Sequence, residues 1–366
     1  MRIPKVLRLA AVAAVVAGTV GTVALAAPGG AAADTVFTVY LDPAGSDGND
    51  GLTPATAIRT LARAQAVLTA AAPQTDVEVR VKQGTYVAPT TSWHFIVPGH
   101  TISFMPVDYQ YGDGIGDIAG RPVFRGDGTA GYWFSGGLPS GSTGGDTNLR
   151  FYYLQVERYS QGGLTIGGGT TTNSDGIRVP STAGANHNTI FGMQFQYLGS
   201  KWSSAGFAYG GVDLVNSSDN VIRNNHFVHL ENTGGDAGLL HGVYLAHNSS
   251  RNSVTGNQFS YITGVPMRTR NQSDTNDISG NTFTRAGATA FYSEWFCDSS
   301  CVADNPGHPR ECSSHGNVFH DNDTVSGYDG THLSWWYLQP GGNTYPGGTG
   351  CPSLGGEQRI KTYGNT

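Results

Sequence analysis

The stretch NSVTGNQF, residues 252–259, decides the fold because close copies of it recur along the chain without internal gaps. Full copies lie at residues 188–195, 220–227 and 276–283, and residues 316–319 keep only the second half. Each full copy has an aliphatic residue at its third position and Phe at its eighth. The repeating phenylalanines are 32, 32, 24 and 36 residues apart, a period that is typical of repeat architectures.

The repeats are made of strands rather than helices. Short runs of alternating apolar and polar residues are separated by Gly and Asn, and no unit holds an amphipathic helical pattern. Three short strands per turn, each stacked on its equivalent in the next turn, predict an all-β parallel β-helix with Ile, Val and Phe inside. The sixth-position asparagines, Asn225, Asn257 and Asn281, are expected to form a structural ladder in one bend.

The pattern extends in both directions from the repeats. Residues 76–81 and 101–104 resemble the first coils, and residues 148–154 a degenerate later one. Before them, residues 53–69 have a helical pattern with one apolar face, which suits a helix that covers the open end of a β-helix. That face comprises Ala57, Leu61, Ala64 and Leu68. We therefore expect a single domain over 34–366, with an N-terminal cap at 34–75, coils at 76–327 and a C-terminal cap at 328–366.

The first 33 residues predict export. A basic start (Met1–Arg8) precedes an apolar run (Leu9–Leu25) and two competing cleavage sites rich in Ala. The alternative is a membrane anchor, but the run is rich in Ala, Gly and Thr and no second hydrophobic span follows. We expect a secreted, extracellular protein that leaves the membrane after cleavage.

Four cysteines agree with an oxidising compartment. Cys297, Cys301, Cys312 and Cys351 all lie in the last quarter of the chain. Two disulfides are expected, with three pairings open. A metal site is the alternative, but the spacing contains no CxxC pair.

Charge excludes nucleic-acid binding. The 366 residues carry a net charge of −6, and removing the first 33 leaves 18 bases against 27 acids, a net charge of −9. Only 13% of the residues are charged, whereas a nucleic-acid partner needs a basic face. Aromatic residues at 10% argue against disorder. We expect a monomeric folded protein.

Two motifs resemble a known superfamily. The run YLDPAGSDGNDGLTP at residues 40–54, followed by IRTL at 58–61, resembles the opening of secreted right-handed parallel β-helix proteins of the pectate-lyase-like superfamily. HGVYL at 241–245 is similar to a rung common in their repeats. The resemblance spans nearly the whole mature chain and implies a right-handed parallel β-helix. It indicates function weakly, because the superfamily includes lyases, hydrolases, epimerases and binding proteins.

The strand before each repeat predicts a functional face. Its alternation places one set of side chains outward on successive rungs, about 4.8 Å apart. This outward column comprises Arg178, Asp213, Tyr244, Arg268 and Tyr292. A second outward column ends in Arg270 and Glu294. Long loops enter this strand at residues 199–210 and 231–240, and we expect them to form the walls of a groove.

The predicted groove suits an anionic polysaccharide. Aromatic side chains in its loops, Trp202 and Tyr209, suit stacking on sugars, and Lys201 lies beside them. Asp213, Tyr292 and Glu294 complete the predicted substrate-binding set.

A lyase is the reaction that these residues favour. β-Elimination from a uronic acid needs its carboxylate neutralised, and Arg268 or Arg270 can do this. Tyr244, close to that positive charge, is the candidate base or acid, and His241 can also transfer protons. The resemblance implies an Arg or Lys on this face, usually with calcium, and Arg270 is the best match. No counterpart of the family's lysine base is found.

Other interpretations remain open. Arg270 and Glu294 can form an ion pair, His241 can hold its loop, and Tyr292 can be groove wall alone. A glycoside hydrolase needs two carboxyls about 5–10 Å apart, which Asp213 with Glu231 or Asp236 can provide. The carboxylates of Asp213, Glu231 and Asp236 together are also a candidate calcium site, although the spacing of an EF-hand is absent. A non-catalytic carbohydrate-binding protein would use the groove without reaction.

Overall fold

The computed structural model describes residues 35–142 and 145–366. Three parallel sheets run the length of the molecule, and each of the eight complete coils contributes one strand to each sheet, whereas β1 and β30 at the two ends belong to sheet 1 alone. The predicted all-β, right-handed parallel β-helix is confirmed, since each strand pairs in parallel with its equivalents in the adjacent coils. The predicted signal peptide at 1–33 lies outside the described residues.

The strands of the three sheets have the following bounds. Sheet 1 contains β1 (Phe37–Leu41), β2 (Val77–Val81), β5 (Ile102–Pro106), β9 (Leu149–Tyr152), β15 (Thr189–Phe191), β18 (Val221–Arg223), β21 (Ser253–Thr255), β24 (Asp277–Ser279), β27 (Asn317–His320) and β30 (Ile360–Tyr363). Sheet 2 contains β3 (Thr85–Ala88), β6 (Val123–Gly126), β10 (Gln155–Glu157), β16 (Gln194–Leu198), β19 (His226–Leu230), β22 (Gln258–Ile262), β25 (Thr282–Ala286) and β28 (Asp323–Thr324). Sheet 3 contains β4 (Thr91–Trp93), β7 (Tyr132–Gly137), β11 (Gly162–Gly167), β17 (Gly210–Val215), β20 (His241–Ala246), β23 (Met267–Arg270), β26 (Ala290–Trp295) and β29 (Ser334–Gln339).

A few elements lie outside the three sheets. They are the antiparallel hairpin of β12 (Thr170–Thr172) and β13 (Arg178–Pro180), the pair β8 (Gly145–Asp146) and β14 (Ala185–Asn186), the helices α1 (Leu61–Ala71) and α2 (Ser299–Asp304), and 3₁₀ turns at Pro54–Thr56, Ile115–Asp117 and Gly234–Leu239. The hairpin is an insertion between a strand of sheet 3 and the next strand of sheet 1.

The repeating phenylalanines form the centre of the core. Phe195, Phe227, Phe259 and Phe283 stack in one column with ring centroids 4.8–5.2 Å apart and planes within 9° of parallel. All four are fully buried. The 32- and 24-residue spacings therefore differ only in loop length, because each coil returns its Phe to the same place.

Two asparagine ladders line the bends of the coils. In the predicted ladder, the backbone N–H and side-chain amide of each Asn donate to the next Asn Oδ1, as Asn225 does to Asn257 at 2.9 Å. This ladder is confirmed and continues through Asn281 to Asn322. A second ladder, unforeseen, uses the first position of the repeat, where Asn220 donates to Asn252. Such ladders satisfy buried backbone groups at every turn.

The N-terminal helix packs on the first coil, but it is shorter than the predicted run at 53–69, because α1 begins at Leu61 and Pro54–Thr56 forms a separate 3₁₀ turn. Thr60 caps α1 by accepting a hydrogen bond from the backbone N–H of Arg63. The predicted apolar face is buried, with Leu61, Ala64 and Leu68 at 3% exposure or less. Among the described residues, no helix is both long enough and apolar enough to span a membrane.

The last segment of the chain joins the coils and is held by disulfides. Strands β29 and β30, which lie within residues 328–366, pair in parallel with β26 and β27, so the coils extend into this segment. The two expected disulfides are present and pair Cys297 with Cys301 and Cys312 with Cys351. The second ties the loop after β26 to the C-terminal segment.

Candidate functional site

Three of the predicted outward residues share one column on sheet 3. The strand register pairs Asp213 with Tyr244 and Tyr244 with Arg268, on the successive rungs β17, β20 and β23. Their side chains alternate with buried Val212, Val243 and Met267 on the inner face. The predicted column is therefore correct over these three rungs.

The column differs from the prediction at both ends. Arg178 lies in β13 of the inserted hairpin, and the rung before Asp213 carries Thr165 instead. Arg268 pairs with Ser293, so β26 is shifted by one residue from the predicted alignment. A one-residue shift moves every side chain of a strand to the opposite face.

Tyr292 and Glu294 consequently point into the core, which corrects their predicted place in the groove. Tyr292 is fully buried and its hydroxyl lies 2.6 Å from Thr269 Oγ1. Glu294 is fully buried and accepts hydrogen bonds from Arg359 and from the Ser314 backbone. Polar partners allow these side chains to occupy inner positions that hydrophobic alternation assigns to Phe and Ser.

Arg268 is held by a neutral histidine. His241 Nδ1 donates to the carbonyl oxygen of Val265 at 2.6 Å, because a carbonyl can only accept. His241 Nε2 is then an acceptor, and Arg268 Nη1 donates to it at 3.2 Å. Burial, and next the charge of Arg268, lower the pKa of His241 to about 3. Both ring nitrogens are thus occupied, and His241 positions the guanidinium.

Arg268 lacks a counter-ion. No carboxylate among the described residues forms an ion pair with it, and its Nε is buried without a hydrogen-bond partner. Burial lowers the pKa of this side chain, yet an arginine stays charged. A largely buried guanidinium on a groove floor, held only by a neutral imidazole, is suited to bind an anion from outside the protein.

Tyr244 lies between the two arginines of the next rung. Its ring centroid is 5.3 Å from that of His241, and Arg270 Nη1 approaches its hydroxyl at 3.4 Å. The hydroxyl is therefore next to fixed positive charge on a partly exposed surface. This is the arrangement expected of a tyrosine that exchanges a proton with a ligand.

Arg270 has a partner that sequence reasoning missed. Its Nε donates to Glu311 Oε2 at 2.7 Å, and its guanidinium lies 4.3 Å from the Trp295 ring centroid. Glu311 is fully buried and also approaches Arg178 and His247, both at 3.6 Å. The predicted Arg270–Glu294 pair is wrong, because each of these residues is paired elsewhere. The sequence did contain a signal for this contact. Glu311 lies beside Cys312, in the insertion that lengthens the last repeat spacing to 36 residues.

Asp213 also has an unforeseen partner, Tyr132. The Tyr132 hydroxyl donates to Asp213 Oδ2 at 2.6 Å across the intervening rung. Glycines make this approach possible: a Cβ at Gly162 would lie 2.5 Å from the Tyr132 ring, and one at Gly210 would lie 1.9 Å from Asp213 Oδ1. Burial raises the pKa of Asp213 to about 7, although the hydrogen bond from Tyr132 opposes the rise.

The two predicted wall loops have different roles. Tyr209 directly precedes β17 and is 42% exposed beside the groove. Lys201 and Trp202 belong instead to the outer face of sheet 2, where Trp202 packs against Tyr197 and His229. Their assignment to the groove is corrected.

The predicted calcium ligands are not brought together. Glu231 is buried beside Lys201, which donates to its Oε1 at 2.6 Å, and Tyr328, which donates to the same oxygen at 2.6 Å. Asp236 lies in a 3₁₀ turn, and Asp213 is held by Tyr132. Within the described ranges, no three His, Cys, Asp or Glu side chains form a metal-binding group. This corrects the prediction of a shared site.

One wall of the groove is built from two distant insertions. The hairpin of β12 and β13 meets the loop after β26 through a bridge between Ile177 and Arg310. The backbone N–H of Arg178 donates to Arg310 O at 2.8 Å, and that of Arg310 donates to Gly176 O at 2.9 Å. The wall spans the rungs of Asp213, Tyr244 and Arg268, and it places Glu311 over Arg270.

Three solved structures are similar to this chain. A rhamnogalacturonan lyase aligns with a TM-score of 0.52 at 18% identity, over 78% of this chain and 67% of its own. An alginate lyase from a Paenibacillus species gives a TM-score of 0.46 at 15% identity, over 78% and 75% of the two chains. A pectate lyase gives a TM-score of 0.40 at 13% identity, over 82% and 74%.

The first of these likenesses, together with the three parallel sheets, identifies the architecture. The chain has a parallel β-helix fold similar to that of the rhamnogalacturonan lyase. No protein-family model matches the chain, and no curated protein matches its sequence. Because one fold can host several chemistries, the reaction has to be argued from the site itself.

Proposed function

We propose that the protein is a polysaccharide lyase that cleaves a uronate-containing glycan by β-elimination outside the cell. The observation that carries the proposal is Arg268, a guanidinium on the groove floor with no carboxylate partner among the described residues. A uronate carboxylate would provide the missing counter-ion. The named activity of the similar rhamnogalacturonan lyase agrees with this proposal.

The reaction follows from the positions of the two arginines and Tyr244. Arg268 binds the substrate carboxylate and spreads its negative charge, which makes the proton on C5 more acidic. Arg270 stabilises the phenolate of Tyr244, and the phenolate removes that proton. The electron pair of the C5–H bond forms a double bond to C4, and the C4–O bond breaks.

Tyr244 then donates the proton that it removed from C5 to the leaving oxygen on C4. The residue thereby returns to its starting state, and all atoms balance. The products are a new hydroxyl end and an unsaturated uronate end. His241 acts as a positioning residue, because both of its nitrogens already make hydrogen bonds. Glu311 acts in the same way on Arg270.

The test is ultraviolet absorbance of unsaturated uronates while the purified protein meets a panel of anionic polysaccharides, with calcium and then with chelator. The panel contains pectate, alginate, glucuronan, glycosaminoglycans and rhamnogalacturonan. We expect absorbance to rise with at least one substrate. New reducing ends without absorbance would show hydrolysis instead, and the elimination mechanism would be abandoned.

Arg268→Ala tests the observation that carries the proposal. Loss of a charge-assisted contact of about 1.5–3 kcal/mol should lower kcat/KM by roughly 10- to 100-fold. Arg223→Ala, an exposed arginine on the outer face of sheet 1, is the matched control and should behave as wild type. Equal rates in the two variants would remove Arg268 from the substrate site.

A further inference from the structure

Positive charge on the groove floor is confined to one rung. Arg268 and Arg270 both belong to β23, and Arg178 reaches the same place from the hairpin wall. Glu311 neutralises part of this charge, since it faces both Arg270 and Arg178. Of these three arginines, only Arg268 forms no ion pair with a carboxylate of the described residues.

The floor on the N-terminal side of this rung is uncharged or acidic. The rung of Tyr244 comes first and that of Asp213 second, and beyond them Thr165 and Ser135 continue the same column. These two residues line a trough of about 410 Å³ together with His94 and Thr182. The other described residues that line the trough are mainly glycines, and none of them is Lys, Arg, Asp or Glu. The donors and acceptors of the trough are hydroxyl groups, backbone groups and the imidazole of His94, which suit the hydroxyls of a neutral sugar.

The floor on the C-terminal side is also uncharged. Ser293 follows Arg268 in the column, and Tyr337 follows Ser293 on the last rung of sheet 3. Trp295 lies beside them, covered on one face by Arg270. Tyr337 is 42% exposed, so this end offers an aromatic surface rather than a charged one.

The distribution of charge sets a limit on the substrate. Rungs are about 4.8 Å apart, close to the length of one sugar in an extended chain, so each rung faces about one sugar. A homopolymer of uronate presents a carboxylate to every rung, and those beside the Arg268 rung would lose hydration without gaining a counter-ion. On the N-terminal side, the carboxylate of the sugar two rungs from Arg268 would also approach Asp213.

We infer that the substrate is a heteropolymer in which a single uronate at Arg268 lies between uncharged sugars. The inference rests on the proposed lyase function and specifies its substrate class. The uronate is selected by the one unpaired guanidinium, and its neighbours are selected by the neutral trough and the aromatic end. A chain of consecutive uronates is disfavoured on both sides.

Two pairs of polysaccharides test this inference, because each pair shares a uronate and differs in what separates it. Polygalacturonate is compared with a rhamnogalacturonan backbone, in which galacturonate alternates with rhamnose. Glucuronan is compared with hyaluronan, in which glucuronate alternates with an N-acetylated hexosamine. The measured quantity is kcat/KM from the absorbance of unsaturated ends, per mole of uronate, with calcium and with chelator.

We expect cleavage of an alternating polymer at least roughly tenfold faster than its homopolymer partner, equivalent to about 1.4 kcal/mol. A homopolymer cleaved as fast as its partner, or faster, would overturn the inference and leave the lyase function standing. Absence of product from all four, together with product from alginate in the wider panel, would overturn the inference alone. Absence of product from the whole panel would overturn the lyase function and the inference with it.

A charge added to the floor gives a second test. Thr165→Lys places a cation in the trough one rung before Asp213, and it should raise kcat/KM on the homopolymer roughly two- to fivefold relative to the alternating polymer. The matched control is Thr255→Lys, which adds the same charge to a partly exposed position on sheet 1. An unchanged ratio in Thr165→Lys would show that charge on the flanking rungs does not select the substrate, and the inference would fail.

Discussion

The outer faces of sheets 2 and 3 carry similar side chains but use them differently. On sheet 2, Tyr197, His229 and Tyr261 stack on successive rungs with centroids 5.4 and 4.5 Å apart. Nearby, Lys201 and Tyr328 satisfy the carboxylate of Glu231. On sheet 3, an equally aromatic and charged surface leaves Arg268 without a counter-ion.

The difference shows that the candidate site is distinguished by a charged side chain without a partner, and not by the types of residue on its surface. The rings of sheet 2 cover one another's faces, and its buried carboxylate has hydrogen bonds to both oxygens. Such a surface has little to gain from a ligand. Sheet 3 instead keeps a desolvated charge that only an external group can compensate.

The largest expected effect is the loss of activity when the hydroxyl of Tyr244 is removed. Tyr244→Phe removes the proposed proton carrier and should lower kcat by roughly 10²- to 10⁴-fold with little change in KM. Tyr261→Phe makes the same change on sheet 2, where the ring lies in the stack, and should retain wild-type rates. Steady-state kinetics on the preferred polysaccharide separate the two variants. Comparable losses in both would refute the distinction between the faces.

An intermediate effect is expected from the two buried glutamates. Glu311→Gln and Glu231→Gln each remove a buried charge that faces a cation, and each should lower the free energy of unfolding by about 1–3 kcal/mol. Only Glu311→Gln should also lower kcat, because Arg270 then loses its orientation beside Tyr244. Denaturant unfolding and kinetics measured on the same samples check both statements. An unaltered kcat in Glu311→Gln would leave Glu311 a purely structural role.

The last effect concerns stability alone and is a difference in pH dependence. Burial raises the pKa of Asp213 to about 7, so between about pH 4 and pH 7 the native state holds a proton that the unfolded state releases. The native state therefore loses stability as pH rises through this window. As pH rises through this window, the free energy of unfolding of the wild type should fall relative to that of Asp213→Asn by up to about 1.4 kcal/mol per pH unit.

Glu231 should show the opposite sign. Burial raises its pKa, but hydrogen bonds from Lys201 and Tyr328 outweigh burial and lower it overall. Its contribution to stability is therefore present above the unfolded pKa, near 4.5, and disappears as pH falls through the native value. Unfolding curves of Glu231→Gln and Asp213→Asn, measured from about pH 2 to pH 8, should diverge from wild type in opposite directions, with the Glu231 effect below about pH 4.5 and the Asp213 effect above about pH 4. Parallel curves would contradict the pKa assignments.

Much of the fold was predictable because the coils repeat the same local physics. Phe at the eighth position and Asn at the sixth return to equivalent places, so a linear pattern specifies stacked columns in space. The same regularity placed Asp213, Tyr244 and Arg268 correctly on one face. Prediction failed at β26, where Tyr292 and Glu294 are polar residues in inner positions. Their burial depends on Thr269 and Arg359, and Arg359 belongs to the last turn of the chain.

By itself the sequence determined the parallel β-helix, its capping helix, its cysteine usage and the outward column over three rungs, since all of these depend on local periodicity. Only the tertiary structure decided which of Arg268 and Arg270 lacks a carboxylate partner among the described residues. Arg270 finds Glu311, 41 residues later, and Asp213 finds Tyr132, 81 residues earlier. Such pairs form where inserted loops and neighbouring rungs bring charges together, and their energies depend on that approach in space. The repeating pattern of the sequence does not specify this approach.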